Sequence, residues 1–149
     1  MASIANRRLQ KELKDLIKSP IPGVELVDCT DLNRWVLKIT GAEGTLYAGE
    51  VYHLQFTFSS GYPIDSPEVV FLGPSPVHEH IYTVGHICLN VLDKDWSPAL
   101  KVSSVCLSIL SMLSSAQEKK RPHGDAEYSS RAAGRSPKNT RWAFDDDTV

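Results

Sequence analysis

Apolar residues recur at helical spacing near the start of the chain. Leu9, Leu13, Leu16 and Ile17 form one stripe between Ile4 and Lys18, predicting an amphipathic helix that Ser19 and Pro20 stop. Arg7, Arg8, Lys11, Lys14 and Lys18 fall largely off that stripe, as a solvated face or a docking face. From Val24 to Leu72 the period drops to two. Trp35, Leu37 and Ile39 alternate with Val36, Lys38 and Thr40, and Tyr52, Leu54, Phe56 and Phe58 with His53, Gln55 and Thr57. Such alternation predicts an antiparallel sheet with one covered face. Val69 to Leu72, set between Pro67 and Gly73, is a fourth short strand, and short connections favour a sequential meander. After a proline-fixed turn at Asp95–Leu100, the spacing of Val102, Val105, Cys106, Ile109, Leu110, Met112 and Leu113 predicts a deeply packed helix ending near Ser114. From Gln117 onward periodicity weakens. Lys119, Lys120, Arg121, Arg131, Arg135, Lys138 and Arg141 alternate with Gly, Pro and Ser, so the expectation is one short helix at most and a mobile end.

The predicted fold class is therefore α+β, one domain over residues 1–149, with a core over about 2–116 and a divergent tail over 117–149. A chain of 149 residues, 42% hydrophobic and 23% charged, can bury that core without disulfide or metal staples. A net charge of -2 gives no global argument for nucleic acid or a membrane surface. No apolar run approaches a bilayer span, and the first residues lack the apolar segment of a signal peptide. Cys29, Cys88 and Cys106 are odd in number and far apart, which points to reduced thiols inside a cell, in cytoplasm or nucleus. Cys106 lies on the apolar face of its helix and Cys29 at a strand end, so both read as inert packed thiols.

Chemistry concentrates between Val77 and Leu92, where three histidines and a cysteine share a segment with no regular period. Three readings compete there: a nucleophilic thiol, a metal site and an ordinary packed loop. His78, His80, His86 and Cys88 are competent zinc ligands, but their spacings match no zinc-finger pair. A packed, backbone-bonded role suits His78. Cys88, between Gly85-His86-Ile87 and Leu89-Asn90, is presented by a loop rather than a core face, as a nucleophile requires.

Several motifs occur in one order. They are the Lys11-Glu12-Leu13 helix, Gly44-Thr45-Leu46-Tyr47-Ala48-Gly49, Tyr62-Pro63-Ile64-Asp65-Ser66-Pro67, the His78–Leu92 loop, Trp96-Ser97-Pro98-Ala99-Leu100 and the Val102–Leu113 helix. Together they resemble the ubiquitin-conjugating enzymes over residues 2 to about 115. The resemblance implies that family's fold: an N-terminal helix, a four-stranded meander, an active-site loop and a long central helix. It also implies that Cys88, eight residues before Trp96, receives ubiquitin from a ubiquitin-activating enzyme as a thioester and passes it to a substrate amine. A thiolate is both a good nucleophile and a good leaving group, so one sulfur serves both halves. No bound cofactor or metal is implied, since ATP is consumed by the upstream activating enzyme. By position, Arg7, Arg8 and Lys11 fall on the surface that meets the activating enzyme and ligases. Ile64, Ser97, Pro98 and Ala99 fall where RING or U-box domains of ubiquitin ligases pack.

Two departures from the family pattern matter. The usual His-Pro-Asn is His78-Glu79-His80 here, so His80 stands at the asparagine position, as an oxyanion donor or loop support. Lys120, amid Lys119 and Arg121, stands near the position past the long helix where most members carry an acidic residue. Both departures, with the irregular tail, resemble the W-type subgroup, which conjugates the α-amino group of flexible substrate N-termini. Conventional lysine conjugation, another ubiquitin-like modifier, a catalytically dead ubiquitin-binding variant and a zinc-stabilised interaction domain are the alternatives. The presence of Cys88 argues against the dead variant.

Overall fold

The computed structural model describes residues 3–140 and 142. Helix α1 spans Ile4–Lys18 and is capped by Ser3, whose hydroxyl accepts from the Asn6 N–H at 3.0 Å. Leu9 and Leu16 are buried as the stripe predicts, but Ile17 lies in the open and Glu12 lies inside. Glu12 follows Leu9 by three residues and precedes Leu16 by four, so it falls on the apolar face itself.

Four strands follow in sequence order: β1 (Val24–Asp31), β2 (Arg34–Thr40), β3 (Val51–Thr57) and β4 (Glu68–Leu72), all antiparallel neighbours. The register sets Trp35 opposite Phe56, Leu37 opposite Leu54 and Phe56 opposite Val69, so buried side chains stack in rows on one face. Helix α2 (Val102–Ser114) adds Val102, Val105, Cys106, Ile109, Met112 and Leu113 to the same core cluster. Each such aliphatic side chain contributes about 1.5–3 kcal/mol of burial.

The first residue of α2 would be left with an unsatisfied backbone N–H, because Lys101 at the cap offers no side-chain acceptor. The buried Glu12 carboxylate supplies one, accepting from the Val102 N–H at 2.8 Å. It also accepts from Arg8 Nε at 2.8 Å and from the Tyr62 hydroxyl at 2.5 Å. A carboxylate at a helix N-terminus is further favoured by the helix dipole. This junction ties α1, the Tyr62 turn and α2 together.

The tail is more ordered than its composition suggests. Helix α3 (Asp125–Ala132) and a short 3-10 turn at Pro137–Asn139 are held by specific polar contacts. Asp125 accepts from the Thr83 N–H and hydroxyl at 2.7 and 2.6 Å, Lys138 Nζ reaches the Ser66 carbonyl at 2.7 Å, and the Ser136 hydroxyl reaches Glu68 at 2.8 Å. The mobile end expected after Trp142 lies outside the described residues.

Candidate active site

The histidine-rich segment is a small hairpin rather than an irregular loop. Ile81 pairs with Ile87, the Tyr82 N–H reaches the His86 carbonyl at 2.9 Å, and the Cys88 N–H reaches the His80 carbonyl at 2.8 Å. The tip closes through the Gly85 N–H to the Tyr82 carbonyl at 2.8 Å. Gly85 has φ of +99°, and a Cβ there would lie 2.3 Å from the Phe71 carbonyl oxygen. Only glycine lets the hairpin rest this closely against β4, where the Phe71 N–H donates to the Gly85 carbonyl at 2.9 Å.

Pairing fixes which side chains meet. Ile81 and Ile87 enter the core, and the next residues out, His80 and Cys88, are joined across the hairpin by a backbone hydrogen bond. Leu89 returns to the core, whereas Cys88 does not join the core cluster. Cys88 is buried, with 8% of its surface exposed, so the openly presented thiol expected from the sequence is not found. Tyr82 and Tyr128 lie close enough to Cys88 for its charge to help push their hydroxyl pKa values up, burial being the largest cause. Cys106 is fully buried, and burial drives its thiol up to about 12, which makes it inert. Cys29 packs partly buried against the core.

His78 meets backbone groups through both ring nitrogens. Buried beneath the hairpin, it faces the Met112 carbonyl through Nε2 at 3.2 Å and accepts the His80 N–H through Nδ1 at 3.0 Å. Burial, and then the neighbouring His80, hold its pKa below the usual imidazole value. His86 Nδ1 meets the Tyr128 hydroxyl at 2.7 Å. The four residues weighed as zinc ligands thus face different partners, and among the described residues no group of three or more His, Cys, Asp or Glu is placed to hold a metal.

The three cations after α2 are individually engaged. Lys119 pairs with Glu50 and sits 5.1 Å from the Tyr47 ring centroid. Lys120 lies 2.9 Å from Glu118 and 3.5 Å from Glu79. Arg121 Nη1 donates to the Pro76 and Ile81 carbonyls at 2.8 and 3.2 Å and Nη2 to the Ser75 carbonyl at 3.0 Å, clamping the approach to the hairpin. An open groove of about 430 Å³ runs between the Leu89–Val91 turn and α2, past Leu107, Ser108 and Ser111.

On the far side, Ile64 is 73% exposed. Trp96 Nε1 donates to the Pro63 carbonyl at 2.9 Å, which brings the Ile64 turn beside the Ser97–Ala99 turn, where Pro98 and Ala99 are exposed. Arg8 reaches the Leu100 carbonyl at 2.7 Å besides binding Glu12, while Arg7 and Lys11 point outward. Glu12, Glu79, Arg121 and Tyr128 are site residues that pattern reading missed. For Glu12 the signal was present, a lone acid on an apolar helix face with an arginine one turn earlier.

This fold and this hairpin define a ubiquitin-conjugating enzyme: the family model "Ubiquitin-conjugating enzyme" matches residues 8–143, and the chain belongs to that family. It is 56% identical over the full length of both chains to a protein of Dictyostelium discoideum called probable ubiquitin-conjugating enzyme E2 W. To the ubiquitin-conjugating enzyme E2 W of Caenorhabditis elegans it is 57% identical, again with full coverage of both. The resemblance to the W-type subgroup is therefore supported. Among solved structures, the ubiquitin-conjugating enzyme UbcA1 of Agrocybe aegerita superposes with a TM-score of 0.87 at 41% identity, covering 91% of this chain and 99% of that one. A conjugating enzyme of Plasmodium falciparum gives 0.72 at 42% identity, covering 74% and 99%.

Proposed function

We propose that Cys88 accepts ubiquitin from the activating enzyme as a thioester and transfers it to the α-amino groups of substrate proteins with flexible N-termini. Transfer forms the C–N bond and breaks the C–S bond, with the electron pair returning to the Cys88 sulfur. His80, opposed to Cys88 across the hairpin, supplies a ring N–H to the oxyanion of the tetrahedral intermediate in this reading, and the loss of one such donor costs about 3 kcal/mol elsewhere.

The observation that carries the amine preference is the segment after α2, where Lys119, Lys120 and Arg121 stand and the one acid, Glu118, is engaged by Lys120. That segment gives a lysine substrate little help in losing its proton. At neutral pH the uncharged fraction of an α-amine exceeds that of lysine by roughly 300-fold, from reference pKa values near 7.8 and 10.4. An α-amine hardly needs a base.

Arg7 and Lys11 on the outward face of α1 suit the activating enzyme, and the joined Ile64 and Ser97–Ala99 turns suit a RING or U-box ligase. Arg8, committed to Glu12 and Leu100, holds that surface in shape. The test compares discharge of charged protein to a lysine-free peptide with an open α-amine and to its acetylated, lysine-bearing counterpart. Faster α-amine transfer is expected; faster lysine transfer refutes the preference.

A further inference from the structure

Glu79 on the hairpin and Lys120 after α2 face each other: Lys120 Nζ lies 3.5 Å from Glu79 Oε2. The other carboxylate oxygen lies 3.8 Å from His80 Nε2, and His80 opposes Cys88 across the hairpin. A carboxylate thus stands on the hairpin, one residue from the position paired with Cys88.

We propose that Glu79 docks the incoming substrate amine in its ammonium form, with Lys120 as a resident stand-in that yields the place when substrate arrives. This rests on Cys88 being the acyl carrier. Lys120 already shares its charge with Glu118 at 2.9 Å, so it has a second partner to retire to, and the exchange swaps one ammonium for another with no net change in charge. Glu118 and Glu79 both favour the charged form of Lys120, Glu118 more strongly, which keeps it a cation rather than a nucleophile competing for the thioester. Other charged or titratable groups around Glu79 are His78 and His80 on its own segment. Tyr47 feels its charge from below the hairpin.

The chemistry balances simply. The docked ammonium gives one proton to water, the neutral nitrogen attacks the thioester carbon, a second proton leaves nitrogen, and the C–S pair returns to Cys88. Docking raises the local concentration of any cationic amine. Choice between α-amine and lysine then falls to the proton each must lose, so the two readings separate.

The experiment is single-turnover discharge of the full chain, charged with ubiquitin by its activating enzyme. The nucleophiles are the α-amine peptide, the acetylated lysine peptide and hydroxylamine, which is uncharged at neutral pH. For Glu79→Gln, discharge to both peptides relative to hydroxylamine is expected to fall roughly three- to five-fold at low salt, the scale of an exposed ion pair. The deficit should fade as salt rises. Lys120→Ala, which removes the competitor, should lower the half-saturating concentration of both peptides. An equal loss toward all three nucleophiles overturns the proposal in favour of a structural role, and so does no loss toward the peptides. Should Glu79→Gln fail to charge, Lys120→Ala decides alone, and an unchanged or raised half-saturating concentration overturns the proposal. A wild type that prefers lysine sinks the α-amine reading and leaves this one standing.

Discussion

The Cys88 N–H donates to the His80 carbonyl at 2.8 Å, and this one bond fixes the two residues opposite each other across the hairpin. Since Ile81 and Ile87 anchor the same pair of strands in the core, the geometry around the thiol is inherited from packing rather than from loop conformation.

Gly85 should therefore be intolerant of a side chain. Gly85→Ala combines a positive φ with a Cβ driven into the Phe71 carbonyl, and the hairpin must lift from β4. A loss of at least 1–2 kcal/mol is expected, with amide protection lost at Phe71 and Cys88, read by urea denaturation and hydrogen exchange.

Glu12 is the second point of sensitivity. Glu12→Ala leaves the Arg8 guanidinium, the Tyr62 hydroxyl and the Val102 N–H without their acceptor. Breaking a buried pair of this kind costs about 3–5 kcal/mol, a fall in Tm of roughly 10 °C for a chain of this size. Glu12→Gln, which keeps an acceptor oxygen, should fall less. Calorimetry of the two variants separates these outcomes, and equal losses would show that the carboxylate's charge, rather than packing or a neutral acceptor, is what matters there.

Acid should weaken the hairpin before it weakens the sheet. Burial is the main cause that holds both His78 and His86 below the ordinary imidazole value. Between those depressed values and about 6.5 the unfolded chain binds more protons than the folded one, so stability falls as pH drops through that window. The urea midpoint should decrease on acidification from about pH 7.5 to about pH 5.5, and His78→Gln together with His86→Gln should flatten the slope. An unchanged slope in that double variant rules the two histidines out as its source.

Arg121 is expected to matter more than its neighbour Lys119. Its guanidinium binds three backbone carbonyls at once, a geometry lysine cannot reproduce. Arg121→Lys should destabilise by about 1–3 kcal/mol, whereas Lys119→Ala, losing a surface pair, should stay within about 1 kcal/mol. Parallel thermal melts test the ranking.

Periodicity made the scaffold legible in the sequence. The stripe of α1, the alternation of β2 and β3 and the apolar run of α2 each report burial directly, because helix and strand geometry set which positions face inward. Two features escaped for physical reasons. The hairpin holds too few paired residues for alternation to show, and its register depends on Gly85 meeting Phe71 across a gap in sequence. The tail's order comes from polar contacts such as Asp125 with Thr83, which leave no hydrophobic period. Cys88, Ile64 and the Ser97–Ala99 turn were singled out by motif, whereas Glu79 gained meaning only when Lys120 came to lie opposite it.

Amine transfer depends on which sulfur carries the acyl group. The direct measurement is incubation with activating enzyme, ATP and ubiquitin, followed by electrophoresis with and without reductant. Wild type, Cys29→Ser and Cys106→Ser should all form an adduct that reductant cleaves, Cys88→Ser one that resists it, and Cys88→Ala none. A reductant-sensitive adduct persisting in Cys88→Ala would contradict the assignment.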